Sequence, residues 1–221
     1  MKTVIVSVLA VMLIGCSGNK KVEVKTDRQK FSYAVGLTTG ANMAKDSLDL
    51  DYDVYLQGIK DAGVDSSKRL MSLADVEKAL TTWQTEKQRS VSQKNLDAGD
   101  KFLTENKKEP GVIELPSGLQ YKVITEGKGP HPRVDQSVLA NYVGTFINGQ
   151  EFYSSRRIGQ PEELKVNGVM PGWTEALQLM SVGSKWKIFI PAKLAYGDVG
   201  IRNLIAPGTT LIFEIELLAI K

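Results

Sequence analysis

The residues of this chain that stand out for their chemistry are aromatic and branched apolar side chains in its C-terminal half. They lie between residues 142 and 213 and centre on the segment 169–173, Val-Met-Pro-Gly-Trp. They could converge on one water-poor pocket that binds an apolar group, and no catalytic nucleophile is evident among them. The same residue types could instead form an ordinary hydrophobic core. The set consists of Tyr142, Phe152, Trp173, Tyr196, Ile205 and Phe213.

Short β-strands joined by turns must position these side chains, because the chain changes character after residue 110. Runs typical of strands occupy 119–124 and 137–147 and are separated by turn residues. The dipeptide Asn148-Gly149 predicts a two-residue type I′ hairpin, with 151–153 as the returning strand.

One short helix is predicted within this β-rich half. Pro171 suits its first position, because the missing N–H of proline has no partner to lose there. Alternation along the later strands places one set of apolar residues inward. One helix across an antiparallel sheet is an α+β arrangement. The residues predicted to face inward are Trp173, Ala176, Leu177 and Met180 of the helix, and Trp186, Ile188, Ile190, Leu211, Phe213, Ile215 and Leu217 of the strands.

The N-terminal half has the spacing of helices instead. Thr26 or Asp27 can cap a first helix, and Asp51 or Asp53 can cap a second one that closes near Gly63. Residues 27–71 are too few to bury a large core in one chain, so we expect a homodimer formed through this segment. The apolar residues expected at that interface are Phe31, Val35, Tyr55 and Leu56.

A long helix is predicted to begin after Ser72 and to continue to about Lys107, because apolar residues recur at steps of three or four. About 35 residues at 1.5 Å per residue make a helix roughly 50 Å long. Its apolar positions become sparse after Trp83, so its second half cannot be buried throughout. Two interpretations stay open: a rigid stalk that holds two domains apart, or two helices interrupted near Gly99.

The first residues have the pattern of an export signal. Lys2 is followed by a mostly apolar run over 4–14 that is too short to span a bilayer. The segment Leu-Ile-Gly-Cys ending at Cys16 resembles a bacterial lipobox, whose cysteine is lipidated, and Ser17 resembles the residue that follows it in outer-membrane lipoproteins. Residues 17–26 would then be a flexible tether. The alternative is a simple signal peptide or membrane anchor with an incidental cysteine.

Composition excludes several classes of function. Cys16 is the single cysteine, which rules out an internal disulfide and a multi-cysteine metal site. Residues 17–109 carry 16 basic and 15 acidic groups, and residues 110–221 carry 11 and 10, so no basic block could hold nucleic acid. We therefore expect no metal, no cofactor and no nucleic-acid partner. The single histidine, His131, lies in a proline-rich turn and is expected at the surface.

Several separated motifs of the C-terminal half resemble the FKBP-type peptidyl-prolyl cis–trans isomerases and occur in that family's order. Together with the lipobox, the helical N-terminal half and the long helix, they make the chain similar to the bacterial branch that contains the macrophage infectivity potentiator (Mip) and FkpA. The matching segments are Val-Leu-Ala-Asn-Tyr-Val-Gly-Thr at 138–145, Asn-Gly-Gln-Glu-Phe at 148–152, Val-Met-Pro-Gly-Trp at 169–173, Met-Ser-Val-Gly at 180–183, Ala-Tyr-Gly at 195–197, and residues 207–218.

The resemblance implies a fold and a division into segments. The fold is an FKBP-like antiparallel sheet curved around one short helix, joined by a long helix to an all-α dimerisation segment. The implied segments are 1–16, signal peptide and lipobox; 17–26, tether; 27–71, helical dimerisation segment; 72–109, linking helix; and 110–221, isomerase domain.

The resemblance also implies a role for each motif residue. Trp173 would form the floor of a proline pocket. The Tyr196 hydroxyl and the backbone N–H of Met170 would bind substrate carbonyls. The walls would be Tyr142, Phe152, Val169, Met170 and Phe213, and the loop that closes over ligands would contain Ile201, Leu204 and Ile205.

The implied partners are proline-containing unfolded or partly folded proteins, a second copy of the chain, and FK506- or rapamycin-like macrolides. The implied location is the bacterial envelope, with a lipid anchor in the outer membrane. The alternative is a non-catalytic chaperone or binding module that retains an FKBP-like pocket.

Two positions depart from the family pattern. The family usually has an aspartate after the hairpin phenylalanine, where this chain has Tyr153, and a further aromatic wall position corresponds to Leu164. Tyrosine is neutral and larger than aspartate, which predicts weaker activity or a different substrate preference, and Tyr153→Asp is predicted to raise turnover. The charge pairs Glu162-Glu163 and Arg156-Arg157 are interpreted as solvated loop residues.

Overall fold

The computed structural model describes residues 22–45 and 48–221. The predicted signal peptide, the lipobox with Cys16 and the first half of the tether lie outside the described residues. The chain divides into two units with the boundary after Leu70.

Two predicted helices form the first unit. Helix α1, Asp27–Lys45, begins with a reciprocal pair of bonds: the Gln29 N–H donates to Thr26 Oγ1 at 3.2 Å, and the Thr26 N–H donates to Gln29 Oε1 at 2.9 Å. Helix α2, Tyr52–Asp61, is capped by Asp51, which accepts bonds from the backbone N–H groups of the first turn. Neither helix has a buried residue.

The long helix predicted after Ser72 is a single element. Helix α3 spans Leu73–Asn106, 34 residues, and the Ser72 hydroxyl caps it by accepting a bond from the Asp75 N–H. The alternative of a break near Gly99 is wrong. Gly99 is buried where α3 meets Thr210, and a β-carbon at this position would lie 2.2 Å from the Thr210 hydroxyl oxygen. The glycine therefore permits close packing of a continuous helix.

An antiparallel sheet follows, as predicted. Its strands are β1 Val112–Glu114, β2 Gln120–Thr125, β3 Ser137–Phe146, β4 Glu151–Ser154, β5 Glu162–Lys165, β6 Lys185–Ile190 and β7 Leu211–Ile220. The strand order is β1-β2-β6-β7-β3-β4, and β5 pairs with β3. A single helical turn, α4, Ser155–Ile158, follows β4, and α5, Pro171–Leu179, begins with the predicted proline.

The β3–β4 hairpin differs from the predicted type I′ turn. Gly149 has a φ of 84°, but Asn203 is the one non-glycine residue with positive φ within 22–45 and 48–221, so Asn148 does not adopt the left-handed conformation that type I′ requires. The Phe146 N–H instead donates to the Gln150 carbonyl at 2.9 Å. The loop thus contains three residues, with the glycine alone in the left-handed region.

The main core lies between α5 and one face of the sheet. The apolar residues predicted to point inward are buried there, including Leu177 of α5, Ile188 of β6 and Ile215 of β7. Phe189 and Ile212, which alternate with them, are also buried, in a smaller cluster with Leu103 of α3. Helix α3 therefore covers part of the opposite face, which the alternation pattern had left exposed.

Candidate active site

Every residue predicted for the site lines a single cavity of about 530 Å³. Gly168 and Ala195 line it as well, and neither was predicted to be a site residue, although Ala195 lies in one of the matching motifs. The predicted residues in the lining are Tyr142, Phe152, Tyr153, Leu164, Val169, Met170, Trp173, Tyr196, Ile201, Leu204, Ile205 and Phe213.

Trp173 lies at the base of this cavity because of its place in α5. Pro171 begins the helix, and the backbone N–H of Trp173 donates to the Met170 carbonyl at 2.9 Å. Trp173 therefore lies in the first turn of α5. Trp173 is only 2% exposed, yet it lines the cavity, which is consistent with a position at its closed end. The Met170 N–H precedes the helix and makes no hydrogen bond within the described part of the chain.

Rings from three strands surround the indole. Tyr142 of β3 meets Trp173 edge-on, with ring centroids 4.8 Å apart, and Phe213 of β7 does so at 5.1 Å. Phe152 of β4 in turn meets Phe213 edge-on at 5.6 Å. Edge-to-face contacts at these distances are favourable and restrict how each ring turns. The walls are therefore held in a defined orientation around an apolar space.

A loop after β6 completes the cavity with the side chains of Tyr196, Ile201, Leu204 and Ile205. Reciprocal backbone bonds between Ile201 and Ile205, at 2.7 and 2.8 Å, close it into a tight turn. Leu204 stays half exposed at the rim, whereas Ile205 is buried.

The second half of α3 holds this loop from outside. The Ser92 hydroxyl donates to Asp198 Oδ1 at 2.7 Å, and the Gln88 side-chain amide donates to the Asp198 carbonyl at 2.9 Å. The Asn95 amide donates to the Pro207 carbonyl at 2.8 Å. The helix predicted as a stalk thus also contacts the loop that carries part of the pocket.

Three tyrosine hydroxyls form the polar edge of the cavity. Those of Tyr142 and Tyr153 both donate to the carboxylate of Glu162. Burial, followed by the bond to Glu162, raises the pKa of the Tyr142 hydroxyl well above its usual range. Burial also raises the pKa of Tyr196. The Tyr196 hydroxyl makes no hydrogen bond to other described residues, which leaves it able to donate to a ligand.

The interpretation of Glu162 as a solvated loop residue is wrong. Glu162 is a half-buried residue of β5, paired with Ala140 of β3. A signal was available in Tyr153, because a buried tyrosine hydroxyl needs a partner, but the sequence did not show which strand would supply it. Arg156 and His131 are exposed, as expected of surface residues.

Residues 22–45 and 48–221 contain neither a cluster of metal-ligand side chains nor a helix suited to a bilayer. No group of three His, Cys, Asp or Glu side chains there could hold a metal ion. No helix in the same ranges combines the length and apolar character needed to cross a bilayer.

Comparisons with known proteins agree with this fold. Residues 129–218 match the family described as FKBP-type peptidyl-prolyl cis-trans isomerase, and residues 28–123 match the domain amino terminal to it. The chain is 39% identical over 203 residues to outer membrane protein MIP of Legionella longbeachae, covering 89% of this chain and 87% of that protein. It is 35% identical over 231 residues to peptidyl-prolyl cis-trans isomerase Mip of Coxiella burnetii, covering 100% and 99%.

Among solved structures, the crystal structure of FkpA from Escherichia coli matches with a TM-score of 0.69 and 34% identity, covering 90% of this chain and 99% of that one. The protein belongs to the FKBP-type peptidyl-prolyl cis–trans isomerases. It is an isomerase that acts on proline peptide bonds and assists protein folding, and the branch resemblance to Mip and FkpA is confirmed.

Proposed function

We propose that the aromatic cavity is where this isomerase holds the proline ring of an unfolded or partly folded polypeptide. The observation that supports the proposal is the meeting of all the motif side chains around one opening whose floor is Trp173. Val169, Met170 and Leu164 would contact the ring, while Tyr196 and the Met170 N–H would bind carbonyls on either side of the rotating bond.

The chemistry of rotation suits such a cavity. Amide resonance gives the bond before proline a barrier of about 18–20 kcal/mol, and uncatalysed rotation takes tens to hundreds of seconds. At the twisted point the carbonyl loses charge separation, so an apolar surrounding stabilises that state relative to water. Each reduction of about 1.36 kcal/mol in the barrier accelerates rotation tenfold. No proton transfer is required of the protein.

A substitution at the floor tests this placement. Trp173→Leu should abolish most acceleration of cis–trans exchange in a short Ala-Pro peptide. Trp83→Leu, the same chemical change on the exposed part of α3, should leave it unaltered. A rapamycin-like macrolide should compete with the peptide in the unmodified protein. Full activity in Trp173→Leu would place the proline site elsewhere.

We also propose a homodimer formed through the first unit. Its helices have no buried residue, and Phe31 is 71% and Leu56 51% exposed, which is unfavourable unless a partner covers them. Two pockets on one dimer would raise the effective concentration of a client between them. Phe31→Glu with Val35→Glu should shift the mass measured by light scattering to that of a monomer, whereas Ala44→Glu should not. An unchanged mass would exclude this interface.

Attachment to the outer membrane through lipidated Cys16 is proposed from the lipobox pattern. The protein should incorporate labelled fatty acid and should be found in the membrane fraction. Cys16→Ala should abolish both the labelling and the membrane association. Equal incorporation in both forms would exclude this attachment.

A chaperone activity of the helical half is a second candidate, because its apolar side chains are exposed. Residues 17–109 alone should then suppress aggregation of a denatured client. If Trp173→Leu in the whole protein abolished this suppression, holding would belong to the pocket instead.

A further inference from the structure

A single carboxylate lies behind the pocket and holds two of its tyrosines. The Tyr142 hydroxyl donates to Glu162 Oε2 at 2.9 Å, and the Tyr153 hydroxyl donates to Glu162 Oε1. The two rings stack, with centroids 5.0 Å apart and planes 13° from parallel. Glu162 therefore connects two neighbouring aromatic walls through both of its oxygens.

These bonds determine what the two hydroxyls can offer to a ligand. A tyrosine hydroxyl has one proton, and once that proton is donated to a carboxylate the oxygen can only accept. Tyr142 and Tyr153 thus become acceptors, whereas Tyr196 keeps its proton for donation. An edge with both kinds of group matches a peptide backbone, which presents N–H and C=O groups in alternation.

The same bonds orient the wall against the floor. Tyr142 contacts the indole of Trp173 edge-on at 4.8 Å, so any rotation of the tyrosine ring changes the shape of the cavity. A hydrogen bond to a charged group is stronger than one between neutral groups. A carboxylate at position 162 consequently holds this ring more firmly than an amide would.

We propose that Glu162 is a positioning residue of the isomerase site: from β5 it supplies the negative charge that holds Tyr142 and Tyr153 in place as acceptors. Tyr153 of β4 and Glu162 of β5 lie on two strands that both pair with β3, and the tyrosine hydroxyl reaches the carboxylate from there. This inference rests on the proposed placement of the proline pocket.

Replacement of the charge tests the proposal in the full-length protein. Glu162→Gln keeps the shape but replaces one carboxylate oxygen with an NH2 group, which cannot accept a hydrogen bond from the tyrosine hydroxyl that faces it. We expect kcat/KM for the Ala-Pro peptide to fall about tenfold, the loss of one charge-assisted bond. Glu163→Gln, an equal change at the exposed neighbouring position, should stay within about twofold of the parent. A parental value for Glu162→Gln, or an equal fall in Glu163→Gln, would overturn the proposal.

A charge swap distinguishes positioning from general stability. Tyr153→Asp adds a second carboxylate close to Glu162, and like charges repel, so this change alone should lower kcat/KM instead of raising it. Combining it with Glu162→Gln returns a single carboxylate to the edge and should give a higher kcat/KM than either single variant. A double variant whose loss is the product of the two single losses would overturn the proposal.

The Trp173→Leu variant distinguishes a failure of the proposed pocket from a failure of the proposed role of Glu162. If that variant is active, the proposed pocket is wrong. If it is inactive while Glu162→Gln is fully active, only the role of Glu162 is wrong. Thermal unfolding of each variant shows whether a lost activity comes from unfolding. If Glu162→Gln is unfolded, the proposal is tested by the double variant with Tyr153→Asp, in which a single carboxylate is restored.

Discussion

The two faces of the sheet are covered in different ways. On one face, α5 and the strands interdigitate large apolar side chains such as Leu177 and Ile215, and the pocket opens from this layer. On the other face, α3 approaches through Gly99 and Ser92, with a small apolar cluster around Leu103 at its end. One interface is stabilised mainly by apolar burial, and the other largely by close backbone approach and hydrogen bonds.

The second half of α3, where apolar residues are sparse, contacts the pocket loop through polar side chains. Small and polar residues let the helix lie close to the loop, and their hydrogen bonds hold Asp198 and Pro207 at defined positions. Substitutions on the two faces should therefore differ: on the α5 face they should mainly remove apolar burial, and on the α3 face they should cost less stability and also change the position of the pocket loop.

The largest effect is expected in the main core. Leu177→Ala should lower the free energy of unfolding by about 4 kcal/mol, because Leu177 is fully buried. Leu103→Ala, in the small cluster under α3, should cost about 2 kcal/mol. Urea denaturation measures both. Equal losses would mean that the α3 face is as strongly stabilised by apolar burial as the α5 face.

Close backbone approach on the α3 face is tested at Gly208. Its φ is 72°, and a β-carbon would lie 2.3 Å from the Ser92 carbonyl oxygen, so Gly208→Ala should cost about 3 kcal/mol. Gly149 has a φ of 84° with nothing within 4 Å, so Gly149→Ala should cost only about 1 kcal/mol. If denaturation showed the same loss of stability for both variants, the cost would come from the positive φ alone, and close approach to Ser92 would contribute nothing at Gly208.

Hydrogen bonding between α3 and the loop should have a smaller effect. Ser92→Ala removes the hydrogen bond to Asp198 and should lower the free energy of unfolding by about 1 kcal/mol. Because Tyr196 of the pocket is only two residues from Asp198 in the chain, kcat/KM should also fall a few-fold. Gln93 bonds within the helix to Asp97, so Gln93→Ala is the matched control. Unaltered kinetics in Ser92→Ala would show that the helix does not position the loop.

The smallest change is expected with pH. Burial raises the pKa of both Tyr142 and Tyr196, so both remain protonated in the folded state beyond pH 10. Isomerisation should therefore be flat between about pH 6.5 and 9. Above about pH 10 the tyrosines of the unfolded chain ionise first, so stability should fall as the pH rises toward the folded-state pKa values. A midpoint near pH 8 in kcat/KM would contradict this assignment.

The pocket could be predicted from sequence to an unusual extent because its residues lie in short ordered motifs. Trp173 follows the proline that begins its helix, and Phe213 belongs to the inward set of β7, so the placement of both residues in these elements follows from local pattern, whereas their roles in a pocket follow from the family resemblance. Glu162 could not be placed in this way. Its strand is four residues long, and its bonds to the two tyrosines depend on the pairing of this strand with β3, which is not local in the chain.

The α+β class and the helix starts at Ser72 and Pro171 follow from the sequence pattern, since capping and periodicity act over a few neighbours. The set of cavity residues came from the resemblance of the ordered motifs to the FKBP-type isomerases. Only the tertiary structure decided that Glu162 meets two tyrosines, that Gly99 is a point of contact instead of a break, and that α3 restrains the pocket loop. These depend on contacts between segments up to about a hundred residues apart. Local propensity carries no information about such distances, whereas the packing of the whole domain does.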